Sequence, residues 1–168
     1  MRANLHPQNE ERLRTLEGYD ILDTFEEAEF DEIVQLAARI CDVPISLISL
    51  VDTERQWFKA RVGLDQSETP IDQSICAHAI LQDDVFEIPD TLLDARTADN
   101  PLVTGPDNLR FYAGAPLVAS NGLPIGTLCV LDREPRKLTD LQRETLRVLA
   151  RQVMKQLELK AALRDQEI

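Results

Sequence analysis

Basic residues are scarce in this chain, and histidine, cysteine, glycine and aromatic residues are scarcer. Lys and Arg number 18 against 30 Asp and Glu, a formal net charge of −12, and no stretch gathers cations into a stripe. Such a surface repels phosphate polyanions, so neither nucleic acid nor an anionic membrane is an expected partner. A small anion held in a local pocket stays compatible with it. The three cysteines, Cys41, Cys76 and Cys129, are odd in number and lack CxxC spacing. That argues against a disulfide framework and for the reduced thiols of a cytosolic protein. Two histidines, His6 and His78, give no zinc spacing, so no metal site is expected. No apolar run approaches the roughly 20 residues that span a bilayer. Residues Met1 to Pro7 lack the apolar core of a signal peptide. The expectation is a soluble, cytoplasmic protein.

What is present is an ordinary globular composition, 43% hydrophobic and 29% charged over 168 residues, enough for one domain with a real core and a helical extension. Asn9 to about Glu17 favours helix, with Leu13 and Leu16 as an i, i+3 pair and Gly18 as a stop. A second helix is expected over 27–41, burying Phe30, Ile33, Val34, Ala37 and Ile40, with Asp42 and Pro44 ending it. Ile45 to Val51 and Gln56 to Val62 read as a hairpin around Asp52-Thr53-Glu54-Arg55. Residues 63–72 read as loop. Ser74 can cap a short helix reaching Leu81, and Val85 to Ile88 is a short strand.

The polar stretch 91–109 reads as a long loop with one helical turn, and a loop of that length in a compact domain draws attention as functional or disordered. A second hairpin joins residues 110–119 to 124–132 through Asn121-Gly122, a pair that tolerates positive φ. Its second arm is almost continuously apolar, as in a central strand covered on both faces. From Thr139, with Gln142 completing a capping box, one helix runs to about Arg164. Leu146, Leu149, Val153 and Leu157 form its stripe, widened by Ala150, Met154 and Ala161, over roughly 40 Å. Its charged distal part, from Glu158 on, gains most by pairing with another helix. The organisation is a tail over 1–8, one domain over 9–163, and a tail or linker over 164–168. The fold class is α+β (α/β loosely): a central antiparallel sheet with helices on both faces and a long C-terminal helix.

This order, with the strings Leu22-Asp23-Thr24, Arg55-Gln56-Trp57-Phe58-Lys59, Ser74-Ile75-Cys76-Ala77-His78-Ala79-Ile80, Phe111-Tyr112-Ala113-Gly114-Ala115-Pro116-Leu117 and Ile125 to Asp132, resembles a GAF domain. The resemblance is to the GAF domains at the N-termini of bacterial sensor histidine kinases and diguanylate cyclases. It implies a small-molecule pocket on one sheet face, terminal helices on the other that often build a homodimer, and a kinase or cyclase output domain. The cofactor is left unknown. The phosphodiesterase-type cyclic-nucleotide signature of spaced Asn-Lys, Phe and Asp-Glu is absent. The bilin-type Cys-His neighbour pair is replaced by Cys76-Ala77-His78.

Several residues are candidates for a ligand site, and none for catalysis. Asp90, Arg96 and Asn100, with Asp94 and Asp99, bring hydrogen-bonding groups beside Phe111 and Tyr112, the apolar lining with convergent polar groups that a pocket needs. Arg96 is either a bidentate clamp for a carboxylate or phosphate or a local ion-pair partner tying down the loop. Cys76 and His78, two apart on a helix, point to different faces, so His78 is not expected to act as a base for Cys76; the plainer reading has Cys76 packed inward and His78 lining the pocket. Trp57 is included as a weak platform. Two alternatives stand beside a regulatory GAF module. One is an enzyme like the free methionine-(R)-sulfoxide reductases of this fold, one of whose cysteines Cys76 resembles in position, although the loop expected to hold the nucleophile has no cysteine. The other is a ligand-free dimerisation scaffold.

Overall fold

The computed structural model describes residues 1–166. Helix α1 spans Asn9–Gly18 and α2 spans Ala28–Cys41. Strands β1 (Ile45–Val51) and β2 (Arg55–Val62) form the first hairpin, and β3 is the three-residue strand Glu68–Pro70. Helix α3 is the single turn Cys76–Ala79, followed by β4 at Phe86–Ile88. Helix α4 is Pro101–Thr104, β5 is Phe111–Val118, β6 is Pro124–Asp132, and α5 runs over Asp140–Gln166. The strands make one antiparallel sheet in the order β3-β2-β1-β6-β5-β4.

That order places β1 and β6 at the centre, and both are buried on their two faces. On one face Ile48, Leu50, Ala113, Ala115, Leu128 and Val130 meet α1, α2 and α5. On the other, Leu47, Phe58, Tyr112, Cys129 and Leu131 meet α3 and α4. We call these the helix face and the loop face. Because β3 and β4 are the opposite edges, the chain between them must cross the whole loop face, and it lays α3 over β6 on the way.

Local chemistry explains most boundaries. Thr139 and Gln142 form the expected reciprocal cap: Gln142 N–H donates to Thr139 Oγ1 (3.1 Å) and Thr139 N–H to Gln142 Oε1 (2.9 Å). Asp42, at φ 54°, ends α2 in the left-handed conformation. In the β5–β6 turn only Gly122 takes a positive φ, of 85°.

The structure differs from expectation in several places. Gly18 stays inside α1, and the left-handed residue after it is Asp20, at φ 54°. The buried stripe of α2 is Phe30, Val34, Ala37, Ala38 and Cys41, whereas Ile40 is on the surface. The antiparallel packing against α5 turns the helix toward Ala38 and Cys41. Strand β3 lies in the stretch expected as loop. The long loop holds two structured turns, Thr91–Leu93 and α4. Helix α5 continues past Arg164 to Gln166; the rest of the expected tail or linker, residues 167–168, lies outside the described residues. Within the N-terminal segment, residues 2–6 line a small crevice with Asp52, Ala77 and Ile80.

Candidate functional site in the loop face

Ser74 sets the position of α3. Its hydroxyl accepts from Ala77 N–H (3.0 Å) and donates to Gln56 Oε1 (2.8 Å), fixing the start of the turn above β2. Ile75 and Ala79 pack inward beside Cys76, and the Cys76 sulfur comes down onto β5 and β6. Alternation along β6 sends Thr127, Cys129 and Leu131 to this face. Cys76 Sγ lies 4.0 Å from Cys129 Sγ, 3.1 Å from Thr127 Oγ1 and 3.2 Å from the Tyr112 hydroxyl. Tyr112 can lean over the sheet because Gly114, two residues on, has no side chain. A Cβ there would sit 2.3 Å from the Tyr112 hydroxyl oxygen.

A cavity of about 20 Å³ adjoins the two sulfurs, bounded by Leu47, Phe58, Leu102, Leu109 and Tyr112, with Gln56 and Thr69 as polar members. That is room for about one water. Gln56 is itself engaged, donating to Thr69 Oγ1 (2.6 Å) and accepting from Ser74. Among the described residues no buried side-chain nitrogen or oxygen lacks a partner. The site is therefore closed and internally satisfied.

The charges follow from these contacts. Burial works against a Cys76 thiolate, yet the hydrogen bonds from Cys129, Thr127 and Tyr112 favour it and draw the pKa down from the ordinary thiol value. Burial pushes Cys129 and Tyr112 well up, the negative charge at Cys76 adding to both. Burial lowers the His78 pKa, and its Nε2 meets the Met1 carbonyl at 2.8 Å. No cluster among the described residues has three or more His, Cys, Asp or Glu placed to hold a metal. No helix among them is long and apolar enough to cross a membrane.

The family model described as GAF domain matches residues 26–157. The chain belongs to the GAF domain family. It is 46% identical over 132 residues to a cyclic di-GMP phosphodiesterase of Pseudomonas aeruginosa, a match covering 78% of this chain and 22% of that protein. The chain therefore spans about a fifth of that relative's length. Among solved structures it resembles the GAF domain of an Acinetobacter phosphoenolpyruvate-protein phosphotransferase, with a TM-score of 0.67 at 17% identity over 94% of this chain and 97% of that one. It also resembles a free methionine-R-sulfoxide reductase of Neisseria meningitidis, with a TM-score of 0.66 at 16% identity over 97% and 99% of the two chains. At those identities the likenesses show the shared fold.

In this GAF domain only part of the expected residue set converges. Cys76 and Tyr112 meet, and His78 is next to them but turned away toward residue 1. Phe111 is on the helix face, because neighbours on a strand point to opposite sides. Trp57 also belongs to the helix-face core. Arg96 is held by its neighbour: Nε and Nη2 bond both carboxylate oxygens of Asp94 (2.9 and 2.7 Å), and the guanidinium stacks 4.5 Å from the Phe86 ring centroid. Asp90 accepts from Leu92 N–H at the start of a 3-10 turn. Asn100 caps α4 through Leu102 N–H and donates to the Gln73 carbonyl. These three tie down the loop. Cys129 and Thr127 are the partners that sequence reading did not bring into the site. Their i, i+2 spacing on one strand put them on a common face, but only the crossover shows what covers that face.

Proposed function

We propose that this GAF domain is a regulatory rather than catalytic module, in which an event at the Cys76–Tyr112 cluster is passed to α5 and from there to an output domain. The observation carrying this reading is a continuous mechanical link. The segment that leaves α3 presents Asp84 and Glu87, and both grip α5. Arg147 bonds the two oxygens of Asp84 (2.6 and 3.0 Å), and Arg143 bonds Glu87 (3.0 Å), whose other oxygen accepts from Leu138 N–H at the foot of the helix. The likeness to a stretch of a much longer cyclic di-GMP phosphodiesterase supports a place beside a nucleotide-signalling output. The small, satisfied cavity supports a relay over a standing store of ligand, so a small molecule would have to part α3 and α4 from the sheet to enter.

The relay works in a homodimer. Helices α2 and α5 run antiparallel, joined at one end by Gln142 to the Ile40 carbonyl and at the other by Lys160 to Glu27 and Glu29. Their outer side leaves Leu36, Ile40, Leu141 and Val148 in water, at 44, 37, 69 and 38% exposure. Leu141, Thr145, Val148 and Gln152 follow the alternating four-three spacing of a helix that pairs with its own copy, and the series continues through Lys155 to Leu159. Native mass spectrometry tests this. The expected result is a dimer that Leu141→Glu with Val148→Glu converts to a folded monomer, with the melting temperature no longer dependent on protein concentration. A wild-type monomer across the accessible concentration range overturns it.

A further inference from the structure

Two thiols face each other inside the loop face, and neither the fold nor the relay requires their chemistry. Cys76 Sγ and Cys129 Sγ are 4.0 Å apart on different elements, α3 and β6. A disulfide needs about 2.05 Å, so each sulfur would move about 1 Å, within reach of a side-chain rotation and a small shift of the one-turn helix. Both cysteines line the same closed cavity, which has space for about one water, so a peroxide reaches Cys76 as α3 parts from the sheet. Two hydroxyls, from Tyr112 and Thr127, are aimed at Cys76 Sγ, which is carried by a one-turn helix, whereas Cys129 is fixed in the central strand. Donors of this kind favour the thiolate, the form that reacts.

We infer that Cys76 and Cys129 form a reversible peroxide-sensing pair, Cys76 taking the oxidant and Cys129 resolving it to a disulfide. The Cys76 thiolate attacks one oxygen of hydrogen peroxide. An S–O bond forms, the O–O bond breaks, and hydroxide leaves, to be neutralised by a proton. Cys76 is then a sulfenic acid, oxidised by two electrons. Cys129 attacks that sulfur, the S–S bond forms, the S–O bond breaks, and the departing hydroxide takes the Cys129 proton as water. Two thiols and one peroxide have become one disulfide and two waters. An external dithiol reverses the change by exchange.

The third cysteine is an internal control. Cys41 is buried in the helix-face core, burial pushes its pKa up to about 11, and it has no sulfur partner. The disulfide would staple α3 to β6 and remove the acceptor of the Tyr112 and Thr127 hydroxyls. Its meaning as a signal rests on the relay proposed above, but its formation does not.

The test is peptide mapping of the whole chain, alkylated under denaturing, non-reducing conditions after treatment with hydrogen peroxide. The expected product is a linked pair of peptides carrying Cys76 and Cys129, lighter by two hydrogens, with Cys41 alkylated. In Cys129→Ser a dimedone adduct should appear on Cys76. At a pH at least one unit below the Cys76 pKa, Tyr112→Phe should slow disulfide formation about tenfold, one pKa unit of thiolate, without changing the product. Linkage through Cys41 overturns the inference, as do free Cys76 and Cys129 after a dose that oxidises glutathione. If Cys129→Ser does not fold, the wild-type map and the Tyr112→Phe rate decide. A disulfide formed in a strictly monomeric protein upholds the pair and overturns the relay; a dimer whose thiols stay reduced does the reverse.

Discussion

Gly114 shows how much of this site depends on one missing side chain. The Tyr112 ring lies where a Cβ would be, so Gly114→Ala must push the tyrosine off the Cys76 sulfur or bend β5. Overpacking of this kind costs about 1–3 kcal/mol, and urea unfolding of the variant should show a loss in that range. An unchanged midpoint would mean that the tyrosine has another place to go. The same residue scale explains what the sequence made legible in the site. Cys76 and Tyr112 stand out as polar, reactive groups in apolar strings, and both belong to the cluster. Phe111 looks equally good as a neighbour, but strand alternation sends it to the opposite face. Arg96, Asp90 and Asn100 look like ligand-binding groups because the same side chains that bind ligands also cap turns and pair locally. No rule of spacing separates those two uses.

Among the elements, the strands with both faces buried were the easiest to read. β1 and β6 have the bounds their apolar runs suggest, and the reciprocal Thr139–Gln142 cap marks the start of α5. β3 escaped detection because a three-residue edge strand ending in Pro70 carries too little pattern to stand out. The α2 stripe shifted because helical periodicity fixes a face only to within one residue, and the packing against α5 chose Ala38 and Cys41 over Ile40. That packing is closed at one end by charge. Glu27 reaches Lys59 (2.6 Å) and Lys160 (2.5 Å), and Lys59 also holds Thr24 Oγ1 and the Phe25 carbonyl. Burial works against the Glu27 carboxylate, but hydrogen bonds from Lys160 and Lys59 outweigh it and lower its pKa below 4.5; Lys160 lowers Glu29 as well. A depressed carboxylate pKa stabilises the fold above the ordinary value, and that contribution is lost as pH falls through the folded value. Stability measured from neutral pH downward should therefore fall below pH 4.5, and Glu27→Gln should flatten that part of the profile. An identical acid limb in the variant would place the titration elsewhere.

At the scale of the molecule, the strand order is what joins two separate chemistries. The crossover from β3 to β4 carries Cys76 over the sheet centre and then delivers Asp84 and Glu87 to α5. Through the sheet, Tyr112 on one face is flanked along β5 by Phe111 and Ala113 on the other, in the core shared with Ala150, Val153 and Met154 of α5. The sequence indicated the layers of this arrangement, because each follows from local pattern. It did not show the crossing, because that follows only from which strands are edges. The central claim is that the loop face and α5 move as one system. Amide hydrogen exchange of Tyr112→Phe against wild type tests it most directly, since the substitution removes one hydroxyl beneath α3 and leaves the helix face chemically untouched. With global stability matched, altered protection along α5 from Leu146 to Leu157, together with β5 and the segment after α3, is the predicted result. A change confined to α3 and the strands beneath it, with α5 identical to wild type, would contradict the account.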